Sequence, residues 1–503
     1  MQLNLYMIKN ILTLISICLF IQPAFSQKQK SKDKKSTGNT GYEIKVKIRG
    51  LKDTICLLAN YYGDKQYLRD TAKVDKEGLM VFEGDKKLPG GIYLVVLPDK
   101  RFFELIMDST QIFYMETDTS RELQEKVIVN NSAENSVFYE YLKWVGQKQK
   151  EDEPLRKAYR KLTDKKDSSK TPVELTQVQK DSVTLLKKQL GAIEKEVHNF
   201  KTNFMKEKEG YFIAKVIKAS SEPDVPEAPL LPNGRKDSTW SFNYYKSHYL
   251  ANIDFSDGRI LYTPIFHNKL KFYFSNLVIQ IPDSIKKEAD MIIEKASADK
   301  ELFKYIVWYI TNTYETSNIM GMDAVFVHMV EKYYITHRAY WVDSAVLAKI
   351  TDRALTVKNA LIGNLAPGLV MKNLSGKDVS LYSVNAKYTC LVFWDSDCGH
   401  CKKEIPILHE KYKELKALGL EVFAVNIEQK EEGWKKFIEE KGLTDWINVN
   451  DMYHRTNFRK LYDIYSTPVV YVLDKEKKIL AKRIGVEQVA DFIKRISEKE
   501  VGK

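Results

Sequence analysis

The sequence predicts a multidomain chain in which an N-terminal antiparallel β-sandwich is followed by a central, mainly α domain and a C-terminal α/β domain. Three patterns predict this order. Apolar and charged residues alternate with a period of two between Ile44 and Arg49. Apolar residues recur every three or four positions between Val183 and Phe204, and short apolar runs alternate with helical stretches near the C-terminus. The 503 residues are enough for two to four domains.

Residues 1–26 are predicted to be a signal peptide. Lys9 precedes an apolar run from Ile11 to Ile21, and Ala24 and Ser26 fit the rule of small residues before a cleavage site. Cleavage after Ser26 would release the protein into the periplasm, and an uncleaved membrane anchor is the alternative. The run is short for a membrane span, and no later stretch reaches 18 apolar residues.

Residues 27–41 are predicted to be a basic linker. Five lysines in this short polar stretch account for much of the formal charge of +12, namely Lys28, Lys30, Lys32, Lys34 and Lys35. A contact with a membrane surface is a weaker interpretation of the same charge. Basic patches do not alternate with stacking aromatic residues, so no nucleic-acid partner is predicted.

The sandwich is predicted over residues 42–132 and the helical domain over residues 133–363. Short apolar runs separated by turn signals such as Pro89-Gly90-Gly91 predict the strands. In the helical domain, the residues of one seam follow a heptad-like spacing: Val183, Leu186, Leu190, Ile193, Val197, Phe200 and Phe204. This seam can form a dimer coil or pack within its own chain. The charged residues 147–172 are predicted to be a loop between two helices.

Residues 364–503 are predicted to form the C-terminal α/β domain. A buried strand from Thr389 to Trp394 leads into Cys398-Gly399-His400-Cys401, and a helix follows from Lys402 to Leu418. A Cys-x-x-Cys pair at a strand-to-helix turn is the geometry of dithiol–disulfide exchange. The first sulfur lies at a helix N-terminus, where free N–H groups favour a thiolate, and the second can then release the partner.

Two other interpretations of the cysteine pair are open, a structural disulfide and half of a zinc site. A disulfide across two residues would be labile. Zinc would need more ligands, and the sequence has no second Cys-x-x-Cys and no closely spaced histidine pair. We therefore predict no metal and no cofactor. Cys56 and Cys390 lie in apolar runs and are expected to be buried and inert, and a long-range bond between them is the alternative.

Residues from about 365 onwards resemble the thioredoxin-fold thiol–disulfide oxidoreductases of the TlpA/ResA type. The motifs that carry the resemblance are Ala366-Pro367-Gly368, Phe393-Trp394, the cysteine pair, Glu404-x-Pro406 and Ser466-Thr467-Pro468. The resemblance implies a thioredoxin fold, with Cys398 as attacking thiolate and Cys401 as resolving thiol. It also implies that Pro468 is a cis-proline beside the active site, next to backbone that can pair with an extended substrate.

The resemblance gives Glu404 a role as a carboxyl group that moves the proton of the resolving thiol, and a solvated carboxylate at a helix start is the alternative. The chain departs from thioredoxin itself, because Val392 stands where that protein has a buried aspartate and Asp397 where it has a tryptophan. Asp395 and Asp397 oppose a thiolate at Cys398 by like-charge repulsion, whereas the helix start and His400 favour it, so the sequence leaves the sign of the net effect open. The side chains expected to tune the redox couple are those of Gly399, His400, Trp394, Asp397 and Thr467.

The predicted function is an exported thiol–disulfide oxidoreductase, acting as reductase or isomerase on protein or small-molecule disulfides. An exported reductase would need a membrane electron donor. The alternative function is a periplasmic binding or scaffold protein whose N-terminal domains engage a partner. A peroxidase is a weaker alternative, because Asp395 and Leu391 stand where a peroxidatic cysteine has a hydroxyl residue and a proline.

Overall fold

The computed structural model describes residues 41–163, 176–428 and 430–501. The predicted signal peptide and nearly all of the predicted basic linker lie outside these residues. The chain divides into two compact units. The first contains the described residues up to Leu277 together with Ala296–Leu302, and the second contains Val278–Lys295 and Phe303 onwards.

The first unit begins with eight strands in two four-stranded sheets. The strands are β1 (Tyr42–Arg49), β2 (Thr54–Tyr62), β3 (Lys65–Val74), β4 (Leu79–Gly84), β5 (Gly91–Val96), β6 (Phe102–Met107), β7 (Ile112–Asp118) and β8 (Ile128–Asn130). One sheet has the order β4-β1-β7-β8 and the other β3-β2-β5-β6. The prediction of purely antiparallel pairing is wrong for one pair, because β1 and β7 run parallel. The long connection between these two strands allows the parallel arrangement.

Helices follow the sheets, which confirms a mainly α central region. They are α1 (Ala133–Thr163), α2 (Gln177–Glu207), α3 (Phe212–Ser220), α4 (Trp240–His248), α5 (Ile265–Phe272), α6 (Pro282–Lys295), α7 (Lys300–Glu315), α8 (Asp323–Met329) and α9 (Ser344–Asn359). The loop predicted over residues 147–172 is wrong in its first part, because α1 continues to Thr163.

The heptad-like seam on α2 packs against α1 of the same chain. The ring of Phe200 stacks on Trp144 with centroids 3.7 Å apart, and Phe204 lies against Tyr141 at 5.3 Å. Leu190, Ile193 and Phe204 are buried. Large aromatic contacts of this kind stabilise a helix pair, so this seam is used inside the chain.

The C-terminal part is the thioredoxin-like domain that the motifs predicted. Its seven strands are β9 (Val370–Asn373), β10 (Asp378–Ser380), β11 (Tyr388–Trp394), β12 (Leu420–Asn426), β13 (Ile447–Asn450), β14 (Val469–Leu473) and β15 (Ile479–Lys482). Their order in the sheet is β10-β9-β13-β12-β11-β14-β15. The helices are α10 (Gly399–Leu415), α11 (Glu431–Lys441), α12 (Phe458–Leu461) and α13 (Val486–Val501).

Strand β11 is an interior strand of this sheet, the fifth in the order, and is buried along its whole length. It pairs with β12 in parallel and with β14 in antiparallel orientation. Its side chains enter two hydrophobic clusters, one with Trp394 and Cys401 and the other with Phe393. A strand covered on both faces reads as a continuous apolar run, as this one does. Its end is therefore a fixed point from which the Cys398 loop starts.

Candidate active site

Cys398 is the residue that caps the N-terminus of α10. Its backbone is extended, and its carbonyl oxygen accepts a hydrogen bond from the Lys402 amide at 3.0 Å. The helix begins at Gly399, three residues before the predicted start, so Cys401 lies in its first turn. The first N–H groups of a helix have no partner within the helix and can turn toward a sulfur at this position.

The surroundings of Cys398 favour its thiolate. Partial burial would raise the pKa of this thiol, but hydrogen bonds from the backbone of Cys401 and from the side chain of Thr467, with smaller contributions from His400, hold it below the ordinary value. The side chain is partly accessible to solvent. Cys398 is therefore both reachable and easily ionised, which is what a nucleophilic cysteine requires.

Cys401 has the opposite character. It is fully buried in the cluster that contains Trp394 and Ile405. Burial raises the pKa of Cys401 to about 12, although the Asp395 amide donates a hydrogen bond to its sulfur at 3.5 Å. Both cysteines are free thiols in this structure. Two neighbouring thiols with such different pKa values can act in a fixed order.

The segment before β14 faces Cys398. The Thr467–Pro468 peptide bond is cis. The carbonyl oxygen of Thr467 lies 3.4 Å from the sulfur of Cys398. Thr467 and Pro468 are half-buried, whereas Tyr465 is 70% exposed. The structure thus brings Cys398, Cys401, Thr467 and Pro468 together.

The remaining predicted site residues lie in different environments. Gly399 and His400 are exposed, and the carboxylate of Asp397 is 76% exposed with its nearest cation, Lys402, at 4.0 Å. Trp394 does not reach the surface beside Cys398, because it is buried against Phe437 with ring centroids 5.0 Å apart.

Glu404 lies one turn after Cys401 on α10. A residue three positions further along a helix shares its face, so Glu404 lies on the side of the helix that carries Cys401. Its side chain is half-buried. Within the described ranges it forms no hydrogen bond or ion pair. This carboxyl group is thus close in sequence to the resolving thiol and not engaged elsewhere.

A polar network under the Cys398 loop was not predicted. The hydroxyl of Ser396 donates a hydrogen bond to the carboxylate of Glu428, which follows β12. The amide of Asn450 at the end of β13 donates to Asn426 at 2.9 Å and to the Glu428 carbonyl at 2.8 Å. Polar residues at the carboxyl ends of neighbouring parallel strands meet at one edge of a sheet. The position of these polar residues directly after predicted strands is therefore the sequence signal from which the network could have been predicted.

The described residues contain no group of three or more potential ligands that could hold a metal ion. None of the described helices is long and apolar enough to cross a membrane. Cys56 and Cys390 are both fully buried, and burial raises the pKa of the first to about 11 and of the second to about 12.

Comparison with known proteins gives matches for three parts of the chain. Residues 362–482 match the AhpC/TSA family model. Two domains of unknown function match upstream, DUF4369 over residues 42–138 and DUF5106 over residues 174–359. A domain of a possible thiol-disulfide isomerase from Cytophaga hutchinsonii is 48% identical over 28% of this chain and 97% of that domain, with a TM-score of 0.27.

Two curated relatives carry the same name, thiol-disulfide oxidoreductase ResA. The protein from Bacillus cereus is 29% identical over 139 residues, which are 27% of this chain and 79% of the relative. The protein from Geobacillus kaustophilus is 30% identical over 137 residues, which are 27% of this chain and 77% of the relative. Through its C-terminal thioredoxin-like domain, the chain belongs to the ResA thiol–disulfide oxidoreductases.

Proposed function

We propose that this enzyme is an exported thiol–disulfide oxidoreductase that exchanges disulfides with protein or small-molecule substrates through Cys398 and Cys401. The observation that supports this most directly is the difference between the two thiols. Cys398 is partly exposed and has a lowered pKa, whereas Cys401 is buried and has a pKa of about 12. Attack by the first and resolution by the second follow from that difference.

In the reducing direction, the thiolate of Cys398 attacks one sulfur of the substrate disulfide. The substrate S–S bond breaks, a mixed disulfide forms, and the leaving sulfur takes up a proton. Cys401 then loses its proton and attacks the sulfur of Cys398, which forms the Cys398–Cys401 disulfide and releases the second substrate thiol. The substrate gains two electrons and the protein loses two, so a dithiol donor must reduce the enzyme again.

Deprotonation of Cys401 is the difficult step, because its pKa is about 12. We assign the removal of this proton to Glu404, the half-buried carboxylate on the same side of α10. A carboxylate that has no other partner among the described residues can accept the proton directly or through one water molecule. Val392 leaves no acidic group at the position where thioredoxin carries its buried aspartate.

The Thr467–Pro468 segment is proposed to hold the substrate chain. Its backbone lies beside Cys398, with the Thr467 carbonyl oxygen 3.4 Å from the sulfur. Backbone groups of such a segment can pair with an extended peptide and align its disulfide with the nucleophile. Protein disulfides are therefore the proposed main substrates.

Export to the periplasm is part of the proposal, with a membrane electron donor if the enzyme acts as a reductase. Lys9, the apolar run to Ile21 and the small residues Ala24 and Ser26 support export. A reducing enzyme in an oxidising compartment needs electrons from across the membrane, because disulfides persist there.

Replacement of Cys398 and replacement of Cys401 are expected to block different steps of the reaction. C398S should lose essentially all insulin-reducing activity, because the other thiols of the described residues, Cys56, Cys390 and Cys401, are buried and have raised pKa values. C401S should still attack substrate and accumulate a mixed disulfide, visible on a non-reducing gel and removed by dithiothreitol. C390S, which removes a buried thiol on β11, is the control and should form no such adduct. Full activity in C398S would refute the proposed function.

Alkylation should distinguish the thiols by their pKa values. Iodoacetamide reacts with thiolates, so the rate at Cys398 should rise with pH through a pKa below the ordinary thiol value and then level off. Cys56, Cys390 and Cys401 should remain at least tenfold slower at neutral pH, since their pKa values are about 11 to 12. Mass spectrometry of the labelled peptides measures each rate, and faster labelling of Cys401 would contradict this assignment.

Replacement of Glu404 should slow resolution and leave the first attack intact. In E404Q we expect resolution of the mixed disulfide to slow about 100-fold or more, because proton transfer by a placed side chain typically contributes about 10²- to 10⁴-fold. Acid quenching during a single turnover, followed by non-reducing electrophoresis, measures both steps. E410Q, at an exposed position of the same helix, is the matched control. Equal rates in E404Q and the wild type would remove Glu404 from the mechanism.

The reduction potential of the Cys398–Cys401 couple decides the direction of the reaction. A reductase or an isomerase should equilibrate between about −270 and −180 mV in glutathione or dithiothreitol buffers. A potential near about −120 mV would instead identify an oxidant of secreted proteins. The fraction of oxidised protein at each buffer ratio gives the value.

A further inference from the structure

The segment that contacts Cys398 is anchored at Asp463. This residue lies five positions before Pro468, and its side chain is only 9% exposed. Its backbone has a φ of 54°, in the left-handed region that few residues other than glycine and asparagine or aspartate adopt. An aspartate with this backbone conformation and a buried carboxylate needs strong partners to stay in place.

Two arginines hold the carboxylate of Asp463. Arg353, on helix α9, donates to one oxygen. Arg483, directly after β15, donates to the other oxygen at 2.8 Å and to the Asp463 carbonyl at 2.5 Å. Arg353 also lies 3.8 Å from Glu315 on α7. The ion pairs of Asp463 with Arg353 and Arg483 are shielded from solvent because the aspartate is buried. Dissolved salt therefore weakens them less than it weakens ion pairs on the surface.

Arg483 also reaches the exposed part of the same segment. It donates a hydrogen bond to the hydroxyl of Tyr465 at 2.6 Å, and its guanidinium lies 4.5 Å from the centroid of that ring. Asp463 and Tyr465 are therefore fixed to a common cation, and Thr467 follows two residues later. Any loosening at Asp463 should pass along this short segment to Thr467, whose carbonyl oxygen lies 3.4 Å from the sulfur of Cys398 and whose side chain forms a hydrogen bond that lowers the pKa of that thiol.

We infer that Arg353 and Asp463 are positioning residues for the redox site, through an ion pair that fixes the Thr467–Pro468 segment against the sulfur of Cys398. Arg353 lies outside residues 362–482, within the segment that matches a domain of unknown function. The helical region would thereby contribute directly to the reactivity of the thioredoxin-like domain. This inference rests on the proposed role of Cys398 as the nucleophile.

A neighbouring ion pair provides a matched control. Asp352 on α9 pairs with Lys460 on α12, so it joins the same helix to the same domain one residue away from Arg353. Both members are about half exposed or more, and among the described residues the ion pairs of Asp463 are with Arg353 and Arg483 instead. If the ion pairs of α9 act only by attaching the helix, D352N and R353Q should have similar effects on the site.

The test follows the alkylation rate of Cys398 against pH in full-length R353Q, R353K, D463N and D352N, with mass spectrometry to isolate this thiol. We expect the pKa of Cys398 to rise in R353Q and D463N, since the Thr467 side chain helps to lower it. The kcat/KM for insulin reduction should fall about three- to tenfold in both, as expected for a displaced positioning segment. R353K should recover most of the loss, and D352N should match the wild type within about twofold.

Two results would overturn the inference. One is an unchanged pH profile at Cys398 in R353Q, whether or not its thermal stability falls, because a purely structural ion pair would behave in this way. The other is an equal change in D352N. If D463N fails to fold, the comparison of R353Q with R353K still decides the question. A wild type with no turnover but a low-pKa Cys398 would count against the proposed function alone, because alkylation requires no substrate.

Discussion

The hydrogen bonds between the start of helix α10 and the sulfur of Cys398 are the interaction on which the site depends. They exist because the helix begins at Gly399 and directs its first N–H groups toward the sulfur of its N-terminal capping residue. The position of that helix start is set by β11, a fully buried strand held between β12 and β14. The reactivity of a partly exposed thiol thus depends on a strand that is buried along its whole length.

The loop between β11 and α10 is held from below as well. Ser396 is tied to Glu428, and Asn450 bridges Asn426 and the Glu428 backbone, so the ends of three parallel strands are linked by side chains. A hydrogen bond of this kind contributes only about 1 kcal/mol to folding, but an unpaired buried partner costs more. The network therefore acts chiefly by excluding other loop conformations, and this keeps Cys398 at the helix start.

Much of the C-terminal domain could be predicted because its signals are local. The run from Thr389 to Trp394 and the cysteine motif specify a strand, a turn and a helix within a few residues, and the structure extends that strand by only Tyr388. Strand β3 escaped prediction because its first half is exposed on both faces, so it lacks a hydrophobic period. The parallel pairing of β1 with β7 could not be predicted, because about sixty residues separate the two strands and such a distant pairing leaves no local pattern in the sequence.

The site residues also fall into two groups, those that belong to a local sequence motif and those that become neighbours only in the folded chain. Cys398, Cys401 and Pro468 are visible as motifs, whereas Glu428 and Asn450 become neighbours only through the order of the strands. Arg353 and Asp463 are 110 residues apart, and a single arginine on a charged helix carries no sequence signal for a buried partner. Trp394 shows the converse case, since its place in a motif suggested a role at the site but its ring belongs to the core.

The balance at Cys398 also shows why the sequence left the sign of its pKa shift open. Asp395 and Asp397 both carry charges that oppose a thiolate, and the helix start favours one. In the structure, Asp397 points into solvent, where water and salt weaken its repulsion. A carboxylate oxygen of Asp395 accepts a hydrogen bond from the Asp397 amide at 2.8 Å, so this side chain stabilises the turn before Cys398. The N–H groups act at contact distance and cannot be screened, so they prevail over both carboxylates and over partial burial. Because a stabilised thiolate favours the reduced form, this arrangement makes the disulfide more oxidising than an unperturbed pair would be. The high pKa of Cys401 ensures that only one of the two sulfurs carries the charge.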